Sequence, residues 1–507
     1  MPPPITLDGA SLTIDSVVSV AREFAVVTIA PEAARRAVRS RERVERALAS
    51  GATIYAVNTG FGKLANVRIP PEQLRELQRN LILSHAAGVG APLPEDVVRA
   101  AMLLRANVLL RETSGARPEV AEHLVLLLNA GIHPVVPEQG SVGASGDLAP
   151  LAHIALALLG EGDVDVRRPD EAAAPATRMA ARDALRRAGI PPLSLEAKEG
   201  VALVNGTQVQ TAVLALLVHD ARRLWRTAHG AAAMSLEALR GTPEPFDERI
   251  HRARPHPGQI ASAALLREML ADSEIRESHR QDDPRVQDAY SLRCTPQVLG
   301  PVHDAVEFAA GIAAVELNAS TDNPLVFEDA ILSGGNFHGQ PVALALDVLA
   351  IGLTTLAGIA ERRVERLLNP DLSDGLPAFL AARPGVDSGL MMVQITAASL
   401  VAEARSLCTA ASVQSIPTSA SQEDVVPMGM AAAHKTRRVL ANAQRVVAAE
   451  LLCAAQALEY RKPLRPGRGV ERLHARVRKV VAPLAADRVL SPDLEALFTL
   501  TARETLV

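Results

Sequence analysis

The sequence predicts a mainly α protein: a bundle of long, closely packed helices with a smaller N-terminal part. Three observations carry this. Aromatic residues are 2% of the 507 positions while hydrophobic residues reach 48%. The core is therefore built from Ala, Leu, Val and Ile, and Ala and Leu are strong helix formers. Candidate helices in the second half of the chain, several beyond twenty residues, are Ala-rich and apolar on many of their faces, as in VVAAELLCAAQAL at 446–458. A helix apolar on most of its faces is buried, inside a bundle or at a subunit interface.

Composition also excludes function classes. Charged residues are 22% and the net charge is −4, so the chain is an ordinary globular protein. It lacks the basic excess of a general nucleic-acid binder. Cys294, Cys408 and Cys453 lie far apart, which fits a reducing compartment and no disulfide framework. Met1-Pro2-Pro3-Pro4 has no signal-peptide character, and the charge-free run Val348 to Ala360 is too short to span a bilayer. The expectation is a cytoplasmic protein with no membrane partner.

In chain order, 31–50 reads as a helix with Pro at its start and Gly51 as its stop. Thr53 to Val57 reads as a short extended piece entering the turn chemistry of Asn58 to Gly62. Helices follow at 71–85, 95–112 and 117–130, then a Gly- and Pro-containing loop at 131–147 and a helix at 148–161. Polar residues 162–176, with two Pro, read as an exposed connection. Long helices then occupy 208–240, 258–272, 297–318, 341–368, 389–411, 428–461 and 470–484. The domain organisation expected is an N-terminal part over 1–200 and a long-helix bundle with C-terminal helices over 201–507.

The chain has no GxxxxGK[ST] phosphate loop, no HExxH and no GxSxG elbow. Its thirteen His show no ligand-like spacing, so no metal site is expected. The segment Gly140-Ser-Val-Gly-Ala-Ser-Gly-Asp-Leu-Ala-Pro150 stands out. Spacing alone leaves two readings. A Gly-rich loop before a helix can cradle an anion. Alternatively, the Gly146 nitrogen can close on the Ala144 carbonyl, because Gly supplies the freedom such a bend requires. Loss of water from the ring and of the Ser145 hydroxyl would leave an electrophilic methylidene.

GSVGASGDLAPLAH resembles the signature of the histidine and aromatic amino acid ammonia-lyases, whose Ala-Ser-Gly forms 4-methylideneimidazol-5-one (MIO). IYAVNTGFG, LSHAAGVGAPL, LVNGTQ, RPHPGQ, QDAYSLRC, ELNASTDNP, GGNFHGQ, PTSASQED and RPGRG are similar to family blocks, in family order, from about residue 8 to 500. Ser84-His85-Ala86 and Gln422-Glu423-Asp424 resemble the branch acting on histidine. Tyrosine enzymes carry His-Leu and phenylalanine enzymes Phe-Leu at the first block, and both carry Asn-Gln-Asp at the second. A His and a Glu suit an imidazole, which donates and accepts hydrogen bonds, and suit a phenyl ring poorly.

The resemblance implies the histidine/phenylalanine ammonia-lyase fold and non-oxidative deamination of L-histidine to trans-urocanate and ammonia. The alternative it leaves is another MIO-dependent lyase or a 2,3-aminomutase acting on tyrosine or phenylalanine. It implies an MIO from Ala144, Ser145 and Gly146, with no external cofactor. Tyr55 matches the family's base, with Glu423 the competing base or the imidazole holder. Asn205 would hydrogen-bond the MIO oxygen. Gln287 and Tyr290 would lie near the MIO and the substrate carboxylate. Arg293 would take that carboxylate bidentately. His85 would contact the substrate ring, Phe337 would pack beside it, and Asp147 would position the loop or cap the helix beginning there. The resemblance also implies homotetramers with sites built from three chains. Two blocks depart from the family pattern. QEDHVSMG is here Gln422-Glu-Asp-Val-Val-Pro-Met-Gly429, with Val425 for His and Pro427 for Ser, and Tyr-Gly-Val-Asn is here Tyr55-Ala56-Val57-Asn58.

Overall fold

A computed structural model describes residues 2–167, 175–281 and 283–507. The fold is mainly helical, and no strand among the described residues exceeds four residues. The expected helices form, usually trimmed by a few residues. Pro31–Ala49, Leu74–His85, Glu95–Leu109, Pro118–Asn129 and Leu148–Leu158 lie in the first part of the chain. Gln208–Ala238, Pro257–Met269, Thr295–Glu316, Gln340–Leu368, Met391–Leu407, Gly429–Glu459 and Arg468–Val480 follow.

The chain forms two compact units. One comprises Met1–His219, Ala309–Leu346 and Ala410–His434, and the other comprises Asp220–Phe308, Asp347–Thr409 and Lys435–Val507. Residues 1–200 fall wholly in the first, while the chain from 201 onward is divided between both. In the first unit, Glu95–Leu109 packs between Ile14–Glu23 and Pro118–Asn129, and Leu148–Leu158 packs on Leu74–His85 and Glu199–Val204. Met102, Leu103, Leu104 and Leu109 are fully buried there. Burying each such side chain contributes roughly 1.5–3 kcal/mol. In the second unit, Arg468–Val480 packs on Pro257–Met269 and on Ser491–Arg503. All of 446–458 is buried within the chain itself, so this stretch is bundle interior.

Several segments differ from the sequence reading. Ile14–Glu23 is a helix with a capping box between Thr13 and Ser16, and Ser491–Arg503 is a helix opened by Pro492. Residues 53–57 are not extended: 55–57 form a turn. The cause is local side-chain bonding that competes with an extended backbone. Asn58 accepts the Ile54 amide at 2.7 Å and donates to Ala52 O at 2.8 Å. The loop at 131–147 contains the strands Ile132–Pro134 and Pro137–Gln139. Of the connection expected at 162–176, Asp163–Val166 is a strand paired antiparallel with Ile132–Pro134 and Thr177–Ala180, and 168–174 lie outside the described residues. Two helices, Thr295–Glu316 and Gln340–Leu368, are long and apolar enough to cross a bilayer, which the run at 348–360 alone does not reach. Gln340–Leu368 is mostly buried, as a core helix is.

Candidate active site

The site is built on six segments of the first unit. The turn at 52–62 presents Tyr55. Thr59 Oγ1 accepts the Ala56 amide at 3.0 Å, and Ala56, where the family has Gly, sits in the left-handed region at φ 59°. The Tyr55 hydroxyl oxygen accepts the Gly62 amide at 3.1 Å.

The loop at 140–147 turns tightly, with a bridge between Gly143 and Gly146. Gly146, at φ 77°, also bridges to Gly206. A Cβ at Gly146 would lie 2.1 Å from Gly206 O, so glycine is required for both the turn and the close approach. Asn205 Nδ2 donates to Ser145 O at 3.0 Å, and Asn205 Oδ1 is buried without a partner among the described residues. The Ser145 hydroxyl donates to Glu423 Oε1 at 2.5 Å, and the Thr418 hydroxyl donates to Glu423 Oε2 at 2.6 Å. Thr418 and Glu423 pair through their backbones around Ser419, Ala420 and Ser421, all three left-handed at φ 53–61°. Such a run costs energy in non-glycine residues, and strain of this kind concentrates at functional sites.

Asp147 does not cap the helix that begins beside it, since its side chain makes no bond to that helix. Its Oδ2 instead accepts the Val209 and Gln210 amides, both at 2.9 Å, at the N-terminus of Gln208–Ala238. The helix-end dipole favours a carboxylate there. Complete burial nevertheless pushes the Asp147 carboxyl up to about 6. Pro427 packs on the turn: its Cγ lies 3.1 Å from where a Gly143 Cβ would be, and the next residue's amide donates to Val142 O at 2.8 Å. Val425 is exposed, and its carbonyl accepts His338 Nε2 at 3.0 Å.

Two cavities meet at Ser145. One, of about 760 Å³, has a mixed polar and apolar lining and includes Lys63, Ala144, Asn323, Phe337, His338 and Val425. The other, of about 650 Å³, is mostly apolar and includes Phe61, Leu64, Leu81, His85, Leu148 and Val204. Tyr55, Ser145, Asn205 and Glu423 line both. His85 Nδ1 lies 2.9 Å from Leu81 O, and a carbonyl can only accept, so Nδ1 carries the proton and Nε2 is the acceptor. Burial lowers the His85 pKa, which keeps the ring neutral. Phe61 meets it edge-on, with ring centroids 6.4 Å apart.

Tyr55, His85, Ala144, Ser145, Gly146, Asn205, Phe337 and Glu423 are thus brought together. Gln287, Tyr290 and Arg293 are not: they belong to the second unit and line neither cavity. Gln287 is exposed and Tyr290 is 71% exposed. The Arg293 guanidinium carbon lies 4.8 Å over the Tyr290 ring, and its Nε is buried without a partner among the described residues. Sequence reasoning passed over Thr418, Lys63, His338 and Arg105. Arg105 carried a signal: a cation inside the apolar run AAMLLRANVLL. Among the described residues no group of three or more His, Cys, Asp or Glu is placed to hold a metal ion.

The aromatic amino acid lyase family model matches residues 12–479. A histidine ammonia-lyase of Anaeromyxobacter sp. (strain K) is 54% identical over 499 residues, 98% of each chain. Among solved structures, histidine ammonia-lyase from Trypanosoma cruzi is similar with a TM-score of 0.89 and 43% identity, covering 98% of this chain and 93% of that one. Tyrosine aminomutase from Streptomyces globisporus is similar with a TM-score of 0.93 and 39% identity, covering 99% and 97%. Every residue that lines the two cavities falls inside the matched span. The chain belongs to the aromatic amino acid lyase family.

Proposed function

We propose that the chain is a carbon–nitrogen lyase that converts L-histidine to trans-urocanate and ammonia, using an MIO formed from Ala144, Ser145 and Gly146. The observation that carries this reading is that Ser145, Glu423 and His85 line one mostly apolar cavity. The loop fits ring formation. Gly146 has no Cβ to obstruct its approach to Gly206, and the Asn205 amide already donates to the Ser145 carbonyl. Closure joins Gly146 N to the Ala144 carbonyl carbon and releases that oxygen as water. A second water takes the Ser145 hydroxyl and its Cα hydrogen. The finished ring supplies an electrophile that makes the substrate amino group a better leaving group.

The chain's own residues do the rest. Loss of the Ser145 hydroxyl frees Glu423 Oε1 to accept an imidazole N–H, and His85 Nε2 offers a second acceptor. Phe337 packs beside the substrate. The Tyr55 phenolate oxygen, on the wall shared by both cavities, takes the β-proton and becomes the hydroxyl. The substrate carboxylate needs a cation. We place Arg293 there, with Gln287 and Tyr290, contributed by another copy of the chain. The exposure of Gln287 and Tyr290, and the Arg293 Nε left without a partner among the described residues, support this. Apolar faces left open on three helices, at Val315, Ile351 and Met392, support assembly. The reading is a cytoplasmic homotetramer with sites shared among three chains, no external cofactor, and no nucleic-acid or membrane partner.

Val425 favours a second reading, because Val follows the acid in the tyrosine and phenylalanine branch. The test is to incubate the protein separately with L-histidine, L-tyrosine and L-phenylalanine, reading near-ultraviolet absorbance and ammonia. Urocanate with matching ammonia from histidine alone is expected. An arylacrylate or a β-amino acid from another substrate, with no product from histidine, would overturn the reading in favour of an aromatic lyase or a 2,3-aminomutase.

A further inference from the structure

Arg105 is wholly buried within the helix Glu95–Leu109. Its Nη1 donates to Asn205 O at 3.0 Å and to Gln208 Oε1 at 2.5 Å, and its Nη2 donates to Ala202 O. None of these acceptors is charged. The nearby carboxylate, Asp322, is bonded instead to buried Lys198 Nζ at 2.6 Å. A buried guanidinium without a directly bonded carboxylate is costly. It is held here by the ends of two helices, at the turn where Glu199–Val204 stops and Gln208–Ala238 begins.

That turn is the floor of the Ser145 loop. Asn205, whose carbonyl the guanidinium holds, is the residue whose amide reaches Ser145 O. Gly206, next in the chain, bridges to Gly146 and accepts the Asp147 amide at 2.8 Å. A Cβ at Gly206 would lie 2.5 Å from Arg105 Nη1 and 2.4 Å from Gln208 Oε1, so Gly206 is sandwiched between the guanidinium and the Gly146 backbone. Gln208 is tied in turn to Thr321 Oγ1 at 2.7 Å.

We infer that Arg105 is a positioning residue for ring closure. Its planar fork fixes the Asn205–Gly206 backbone, which presses Gly146 towards Ala144 and aims the Asn205 amide at the Ser145 carbonyl. Lysine, a point donor on a flexible stem, replaces the charge but not the fork. The inference rests on the proposed MIO and concerns its formation, not its use.

The test is intact mass, followed in time from synthesis, for the wild-type chain and for Arg105→Gln, Arg105→Lys and Thr321→Val, with circular dichroism and thermal melting as the fold control. The wild-type chain should become two waters lighter than its sequence. A folded Arg105→Gln chain should remain at full mass, and Arg105→Lys and Thr321→Val should lose water several-fold more slowly than wild type. Where Arg105→Gln does not fold, the other two decide in the same way. Folded variants that lose both waters on the wild-type time course would overturn the role of Arg105 and leave the ring standing. A wild-type chain at full mass would overturn the ring, and this inference with it.

Discussion

The Ser145 hydroxyl donates to Glu423 Oε1 at 2.5 Å across 278 positions of sequence. The group to be lost in making the electrophile is therefore bonded to the carboxylate proposed to receive the substrate ring. In the proposed reaction, one carboxylate would serve the loop before ring closure and the substrate after it. The Thr418 hydroxyl donates to the other oxygen at 2.6 Å.

Ser145→Ala should abolish ammonia release while leaving assembly intact. Activity assays paired with size-exclusion chromatography check this. Activity retained on a ring-free chain would sink the MIO assignment.

Tyr55→Phe should keep the two-water mass deficit and lower kcat roughly 10²–10⁴-fold, the usual contribution of a positioned proton-transfer group. Among the described residues the Tyr55 hydroxyl makes one hydrogen bond, accepting the Gly62 amide, so the fold should tolerate the change. A large rise in KM with kcat preserved would move the proton-transfer role to Glu423.

Ser145→Ala and Arg293→Ala chains should each be inactive alone and recover activity when co-expressed. Mixed assemblies then contain sites with Ser145 from one chain and Arg293 from another. Differently tagged chains purified through both tags give the measurement. No recovery in verified mixed assemblies would place both residues in a single-chain site.

Glu237 gives a pH dependence of stability. Its Oε2 accepts the Ser273 hydroxyl at 2.8 Å, and burial pushes its carboxyl from 4.5 to about 7. Between these values the native chain holds a proton that the unfolded chain has released. Stability from this group therefore falls as pH rises from 4.5 to 7 and is flat above, a change on the order of 3 kcal/mol. Glu237→Gln should remove that fall. Melting temperatures of both chains from pH 5 to 8, at one protein concentration, should converge towards the acid end.

The long helices were legible in the sequence because Ala- and Leu-rich runs leave few alternatives. The helix from Gln208 was expected to end at 240 and ends at Ala238. Ile14–Glu23 was not legible: it is short, and its capping box uses Ser16 where Glu or Gln is the usual signal. The turn at Tyr55 was misread as extended because Asn58 and Thr59 redirect the backbone with their side chains, which hydrophobic pattern does not register. Asp147 shows a similar limit. Its place before a helix suggested that it positions the loop or caps the helix; the Ser141 hydroxyl in its own loop donates to it, but the amides it accepts lie 62 and 63 residues away rather than in that helix. The site blocks themselves were readable by resemblance. That Arg293 lines neither cavity was not, because motif order does not say which unit of the chain a residue folds into.

The apposition of Gly146 and Gly206 has a consequence for biosynthesis. The two glycines are brought together by tertiary structure, and Glu423 arrives from much later in the chain. A ribosome-bound fragment that ends before Glu423 lacks the contact that holds the Ser145 hydroxyl. Dehydration would then act as an irreversible timestamp, written once the polypeptide has finished folding and retained if it later unfolds. Within a single preparation, denatured molecules could be sorted by weight into those that had once been native and those that never were.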